Sequence, residues 1–148
     1  MGMSDDVLSQ TSIKINGSAS TRDDAISEAN ELLLAAGAVT NDYLTSMLAR
    51  EESESSYVGN FFAAPRGGAE SAAAVLTPGI SMVRYSKPVD WGGNEVRFVV
   101  AIASDEEGTA QILARLTDIF SDAELVEKVR HAPSDEAVFA LLSVVNER

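Results

Sequence analysis

The chain has 148 residues, 45% apolar and 23% charged, a globular composition long enough for one domain with a hydrophobic core. Twenty-three acidic residues against eleven basic ones give a net charge of −12, which repels phosphate backbones and anionic headgroups and argues against nucleic acid or membrane as the main partner. The absence of cysteine excludes a disulfide framework, a thiolate metal site and a cysteine nucleophile.

Residues 1–6 are polar and acidic and lack the layout of a signal peptide. Met1-Gly2-Met3 has the form of an expression start set before a native Met3, so a flexible or vector-derived terminus is expected over 1–6. No apolar run reaches the roughly twenty residues of a membrane span, and no membrane insertion and a cytoplasmic location are expected. Residues 7–15, with Ile13 and Ile15 in alternation before Asn16-Gly17, predict a short strand and turn. Ser20 or Thr21 then caps a helix whose apolar positions Ala25, Ile26, Ala29, Leu32, Leu33 and Ala36 recur at helical spacing up to Gly37. A second helix is predicted over about 41–52, capped by Thr40 or Asn41, with Tyr43, Leu44, Met47 and Leu48 inward.

Residues 57–64 predict one short strand, broken by Pro65-Arg66-Gly67-Gly68, and 69–74 are very small side chains. Residues 80–85 and 96–103 are β-branched and apolar, bounded by Pro78-Gly79, Pro88 and Gly92-Gly93, and predict buried strands. After Asp105 the helical period returns through Ile112, Leu113, Leu116, Ile119 and Phe120, and two short helices follow at about 123–130 and 134–146. The expected fold is a single α/β domain over 1–148, a central mixed, mostly parallel β-sheet flanked by helices on both faces.

His131 is the one histidine, at a helix end beside Ala132-Pro133 where it complements the dipole, so a histidine metal site or a Ser-His-Asp triad lacks parts. No glycine-rich nucleotide motif occurs, and neither metal nor cofactor is expected. The carboxylates Asp105, Glu106 and Glu107 offset the positive end of the helix they open. The unusual stretch is Gly59-Asn60-Phe61-Phe62-Ala63-Ala64-Pro65-Arg66-Gly67-Gly68, where a strand leads into a turn that lets backbone approach a ligand. Arg66 there either grips a carboxylate or phosphate through its planar fork or is a surface arginine in a β-turn.

This stretch and its flanks resemble the enzyme IIA domains of the mannitol/fructose class of the bacterial sugar phosphotransferase system. The likeness covers nearly the whole chain: the helix from Asp24 to Gly37, Tyr43-Leu44 through Met47-Leu48-Ala49-Arg50-Glu51, Tyr57-Val58-Gly59-Asn60, Thr77-Pro78-Gly79-Ile80-Ser81, Val89-Asp90-Trp91-Gly92-Gly93, Val96-Arg97-Phe98-Val99-Val100, Ile112-Leu113 with Leu116, and Ser134 to Leu142. The resemblance implies a Pro-His-Gly triplet whose histidine takes a phosphoryl group from the phosphocarrier protein and passes it to enzyme IIB. It also implies a second histidine opening a helix nearby, and a helix arginine that holds the phosphoryl group. Here the histidine positions fall on Arg66 and Thr109, and the arginine is Arg50.

Phosphohistidine formation needs an unprotonated imidazole nitrogen. Arg66 stays protonated, and Thr109 has no base identifiable beside it, so no catalytic residue is expected by the family mechanism. Further departures gather nearby, and the expected pocket comprises Arg50, Asn60, Phe61, Phe62, Ala64, Arg66, Gly67, Gly68, Ala72, Ala73, Thr109 and Ala110. Small side chains at Ala64, Gly68, Ala69, Ala72, Ala73 and Ala110 are expected to enlarge it, with Phe61 and Phe62 as apolar walls. The readings are an enzyme IIA-like scaffold that docks the phosphocarrier protein and enzyme IIB without phosphoryl transfer, an engineered variant whose pocket takes an anionic or small-molecule ligand or hosts a new reaction, a regulatory docking paralogue, or a phosphotransferase using Thr109.

Overall fold

The structure is a computed structural model that describes residues 6–146, so all of the expected terminus except Asp6 lies outside the described residues. The elements are β1 (Ile13–Lys14), α1 (Arg22–Ala35), α2 (Tyr43–Ser53), β2 (Tyr57–Gly59), β3 (Phe62–Ala63), β4 (Gly79–Trp91), β5 (Asn94–Ala103), α3 (Glu106–Phe120), α4 (Ala123–His131) and α5 (Asp135–Leu142), with 3₁₀ turns at Gln10–Ser12, Ala69–Ala74 and Ser143–Asn146.

Side-chain alternation on β5 sets the layering. Phe98, Val100 and Ile102 face a core shared with α3, α4 and α5, whereas Val99, Ala101 and Ala103 face a second core under α1 and α2. The expected single α/β domain with helices on both faces of a mixed sheet follows from these two apolar surfaces. The sheet runs β1-β4-β5-β3-β2, with β1·β4 and β3·β5 parallel and β4·β5 and β2·β3 antiparallel. Its longest pairing is the β4·β5 hairpin, turned by Gly92 and Gly93 at φ 64° and 95°.

Three expectations about the strands are corrected. The strand over 7–15 shrinks to Ile13–Lys14, because the backbone of Leu8 is satisfied by the Asn146 side chain, which accepts from its N–H at 2.9 Å and donates to its carbonyl at 3.0 Å. The strand over 57–64 is a tight hairpin, with Asn60 and Phe61 at φ 51° and 69° between β2 and β3. Pro88 ends no strand. Residues 85–88 bulge opposite Arg97 between the pairs Arg84–Phe98 and Val89–Val96, where a residue without an N–H is tolerated.

The helix starts follow their caps: Thr21 accepts from Asp24 N, Asp105 from Gly108 N, Asp122 from Glu124 N and Leu125 N, and Ser134 from Ala137 N. The second helix starts later than expected, with Asp42 at its cap position and no side-chain cap bond; Thr40 Oγ1 instead accepts from Asp42 N at 3.4 Å. The Asp105 cap starts α3 directly after the C-terminal end of β5, and the site forms there.

Candidate functional site

The chain leaving β3 passes through Pro65 and Arg66 alongside the end of β5, with Ile102 N donating to the Pro65 carbonyl at 3.0 Å and Arg66 bridging Ile102 in parallel register. From the other side α2 holds the same segment. Tyr43 Oη donates to the Ile102 carbonyl at 2.6 Å and accepts from Gly67 N at 2.9 Å. One turn on, Ser46 Oγ accepts from Gly68 N at 3.0 Å and donates to Glu70. Ser71 Oγ closes the loop on the Gly68 carbonyl at 2.6 Å. A floor so tied has no room at Gly67, where a Cβ would lie 2.4 Å from Ser71 Oγ and 2.7 Å from Tyr43 Cε1.

The resulting cleft has a volume of about 580 Å³ and lies between the loop over 66–72, α2 and the N-terminal turn of α3. Arg50, Arg66, Gly67, Gly68, Ala72, Thr109 and Ala110 line it as the sequence led us to expect. Positions 66 and 109, 43 residues apart in sequence, meet because β3 and β5 are neighbours and α3 starts directly after β5.

The other expected pocket residues lie elsewhere. Phe62 is fully buried in the α3-side core, stacked on Phe120 with ring centroids 4.3 Å apart. Phe61 packs against that same core, Ala64 is fully buried in it, and Asn60 donates from Nδ2 to the Phe120 carbonyl at 2.7 Å. Ala73 is exposed on the 3₁₀ turn and does not line the cleft. The expected apolar walls are therefore absent from the cleft, because residue 62 lies on the strand face turned toward α3 and four positions before the loop that forms the site.

The lining also includes Tyr43, Ser71, Ser104, Asp105, Glu106 and Leu113, which the sequence reading had not assigned to it. For Tyr43 a signal existed: residues 43, 46, 47 and 50 share one helical face, so a helix that presents Arg50 also presents Tyr43.

The electrostatics centre on two guanidinium groups. Arg50 is paired with Glu54 at 3.1 Å, and its helix end is anchored by buried Glu51, which accepts from Ser56 N at 2.8 Å, Ser56 Oγ at 2.6 Å and Trp91 Nε1 at 2.9 Å. Arg66 is half-buried and donates from Nη1 to the Ala64 carbonyl at 2.9 Å. Burial, then the like charge of Arg50, lowers the proton affinity of Arg66, although it remains a cation at any accessible pH. Burial raises the Tyr43 phenol, so it stays protonated and keeps its donor role. A second cavity of about 590 Å³ lies across the start of α3, but its Arg115 already donates to the Val145 carbonyl, and it contains neither Arg50 nor Arg66.

A family model described as phosphoenolpyruvate-dependent sugar phosphotransferase system, EIIA 2, matches residues 6–144. The mannitol-specific phosphotransferase enzyme IIA component of Halalkalibacterium halodurans is 37% identical over 145 residues, covering 98% of this chain and 100% of the relative. That of Bacillus subtilis is 36% identical over 95% of this chain and 99% of its own. The crystal structure of IIA mannitol from Escherichia coli superposes with a TM-score of 0.84 at 30% identity, covering 90% of this chain and 97% of the other. The same Escherichia coli protein in a complex with phosphorylated enzyme IIB gives 0.83 at 30% identity, over 90% and 94% of the two chains.

Proposed function

We propose a function from the premise that this chain belongs to the phosphoenolpyruvate-dependent sugar phosphotransferase system EIIA 2 family: it is an enzyme IIA scaffold that docks phosphotransferase partners without carrying a phosphoryl group at the family site. The observation that supports this reading is the make-up of one cleft, where Arg66 and Thr109, the positions at which the resemblance expects histidines, lie together with Arg50.

A phosphoryl acceptor must offer a lone pair to phosphorus. Arg66 offers only donors, and a positive charge held there at every accessible pH. Thr109 offers a hydroxyl, which needs a base to become a nucleophile. Of the two acidic residues that line the cleft, Asp105 has its Oδ1 engaged with Gly108 N at 2.7 Å as the helix cap, and Glu106, in the first turn of α3, is exposed to water. By the family resemblance, the partners of this reading are the phosphocarrier protein and enzyme IIB, in the cytoplasm, and the complex of the Escherichia coli relative with phosphorylated enzyme IIB supports the second of them. Among the described residues no helix is long and apolar enough to cross a membrane.

The test is to incubate the chain with phosphoenolpyruvate, enzyme I and the phosphocarrier protein and to record its intact mass. No added phosphoryl group is expected, and the double variant Arg66→His with Thr109→His is expected to gain one. A phosphorylated form of the unaltered sequence, mapped to the cleft, would overturn the reading.

A further inference from the structure

α3 carries an ordered set of polar side chains that the two-arginine cleft does not use. Glu107, Gln111 and Arg115 recur every fourth residue on one face. They place an anion, an amide and a cation about one turn apart, with roughly 12 Å of helix between the two charges. Arg115 lies short of the last turn of α3, which holds no basic residue, so complementing the helix dipole does not account for it. It is half-buried and forms no salt bridge among the described residues. Its one hydrogen bond, from Nη1 to the Val145 carbonyl at 3.3 Å, leaves the other N–H groups of the fork available.

These three side chains wall the cavity of about 590 Å³ that lies across the start of α3 from the cleft. The facing wall is tied in place. The Val7 carbonyl accepts from Ile80 N at 2.8 Å, and Asn146 is held by its two bonds to Leu8. Val7, Pro78, Ile112 and Val145 give the space apolar sides. At its head, Ser104 Oγ has no hydrogen-bond partner among the described residues, and Gly108 makes room for it, since a Cβ there would collide with that hydroxyl. A lone anion would satisfy Arg115 and meet like charge at Asp105 and Glu107, and a lone cation would do the reverse. The order fits a dipolar occupant with an amide between its charges. Gln111 offers one acceptor and one donor group, which are what a peptide unit needs. An extended peptide advances about 3.3–3.6 Å per residue, so three or four residues match the distance between Glu107 and Arg115.

We infer that this groove is a binding site for a tri- or tetrapeptide with free ends, its carboxylate on the Arg115 fork, its ammonium group toward Glu107 and Asp105, and its small side chains against Val7, Ile112 and Val145. The binding is non-covalent and needs neither Arg50 nor Arg66, so it stands apart from the question of phosphoryl transfer.

Titration of trialanine and tetraalanine into the full, unaltered chain, followed by amide resonances, tests it. Millimolar peptide is expected to shift Gly108, Gln111 and Arg115. Acetylating the amino end or amidating the carboxyl end of tetraalanine is expected to weaken binding about tenfold in each case, because each cap removes one charge-assisted contact. That comparison needs no variant of the chain. Arg115→Gln should bind the free peptide about as weakly as the unaltered chain binds the amidated one, and Arg115→Lys should retain part of the difference, because the charge remains and the fork is lost. The remaining resonances show that each variant is folded. Arg66→Gln is expected to leave the titration unchanged. No shift with either free peptide overturns the inference. Equal binding of free and capped peptides overturns it too, since the groove then takes an internal segment of a partner. So do the same shifts with acetate at equal concentration, which make it a small-anion site, and loss of the shifts in folded Arg66→Gln, which puts the peptide in the other cleft.

Discussion

Tyr43 accepts a hydrogen bond from the Gly67 amide at 2.9 Å while its own proton goes to the Ile102 carbonyl at 2.6 Å, so one phenol oxygen joins α2, β5 and the floor of the cleft. Tyr43→Phe keeps the ring in its place in the α1–α2 core and removes only that oxygen. Two backbone groups then lose their partner in a buried setting, and the expected destabilisation is about 1–3 kcal/mol. Urea denaturation would measure it, and the loss should be accompanied by broadened or shifted Gly67 and Gly68 amide resonances. An unchanged midpoint would show that the bridge contributes nothing.

Glu28 predicts the acid limb of stability. It is 7% exposed, and its carboxylate accepts from Lys14 Nζ at 2.7 Å, Ser18 N at 3.0 Å, Ser18 Oγ at 3.0 Å, Ala19 N at 3.2 Å and Tyr85 Oη at 2.6 Å. Burial pushes its pKa up, but these partners outweigh burial and hold it at about 2, against an ordinary 4.5. A carboxyl depressed in the folded state binds protons more readily when unfolded. Its contribution is therefore complete above pH 4.5 and is lost as pH falls through about 2. The shift corresponds to about 3 kcal/mol. Glu28→Gln is expected to cost about 2–4 kcal/mol at neutral pH, because the charge is lost and an amide N–H₂ then faces the donors of one side of the site, either Lys14 Nζ and Ser18 Oγ or Tyr85 Oη and Ala19 N, where an oxygen had accepted. The same variant should flatten the dependence of the urea midpoint on pH in the acid range. A variant as steep there as the unaltered chain would assign the acid limb to other carboxylates.

Phe62 separates a core residue from a pocket wall. It is fully buried and stacked on Phe120, so Phe62→Ala is expected to cost about 3–5 kcal/mol, and Phe62→Leu substantially less. Inorganic phosphate is expected to shift the Gly67 and Gly68 amide resonances, since these line one cleft with Arg50 and Arg66, and the shifts should persist in the folded Phe62→Leu variant. Loss of those shifts with stability retained would return residue 62 to the site.

What was legible in the chain was whatever repeats at short range. The periods of α1, α3 and β5 put Ala25, Ile26, Ala29, Leu33, Leu116 and Val99 on buried faces, and Thr21, Asp105 and Ser134 stand at the starts they cap. What failed depends on distant partners or unusual backbone. Leu8 meets Asn146 from the far end of the chain, and nothing local announces it. Phe61 takes a positive φ, where glycine or asparagine would have signalled the turn. The cleft was legible only through family resemblance: spacing alone says nothing about Arg66 and Thr109 meeting, since the parallel β3·β5 pairing brings them together. Resemblance in turn drew Phe61, Phe62 and Ala64 into the site by nearness in sequence, whereas all three pack on the α3 side of the sheet and only Ala63 between them faces the α1–α2 core.

Gly67→Ala tests the floor of the cleft with the least chemistry. The added methyl carbon would stand 2.4 Å from Ser71 Oγ and 2.7 Å from Tyr43 Cε1, both closer than carbon contacts allow. Ser71 has room to rotate only by giving up its 2.6 Å bond to the Gly68 carbonyl. The Tyr43 ring is fixed at its tip by two hydrogen bonds and is 2% exposed, so it does not yield. The loop must therefore shift as a unit away from α2, carrying Arg66 with it. An overpacking cost of about 1–3 kcal/mol is expected, together with weaker binding of inorganic phosphate, although no donor has been removed. Ser71→Ala relieves only the first clash, so the double variant should recover part of the stability and little of the binding. Full recovery of both would show that Ser71, and not the Tyr43 clamp, determines the height of the floor.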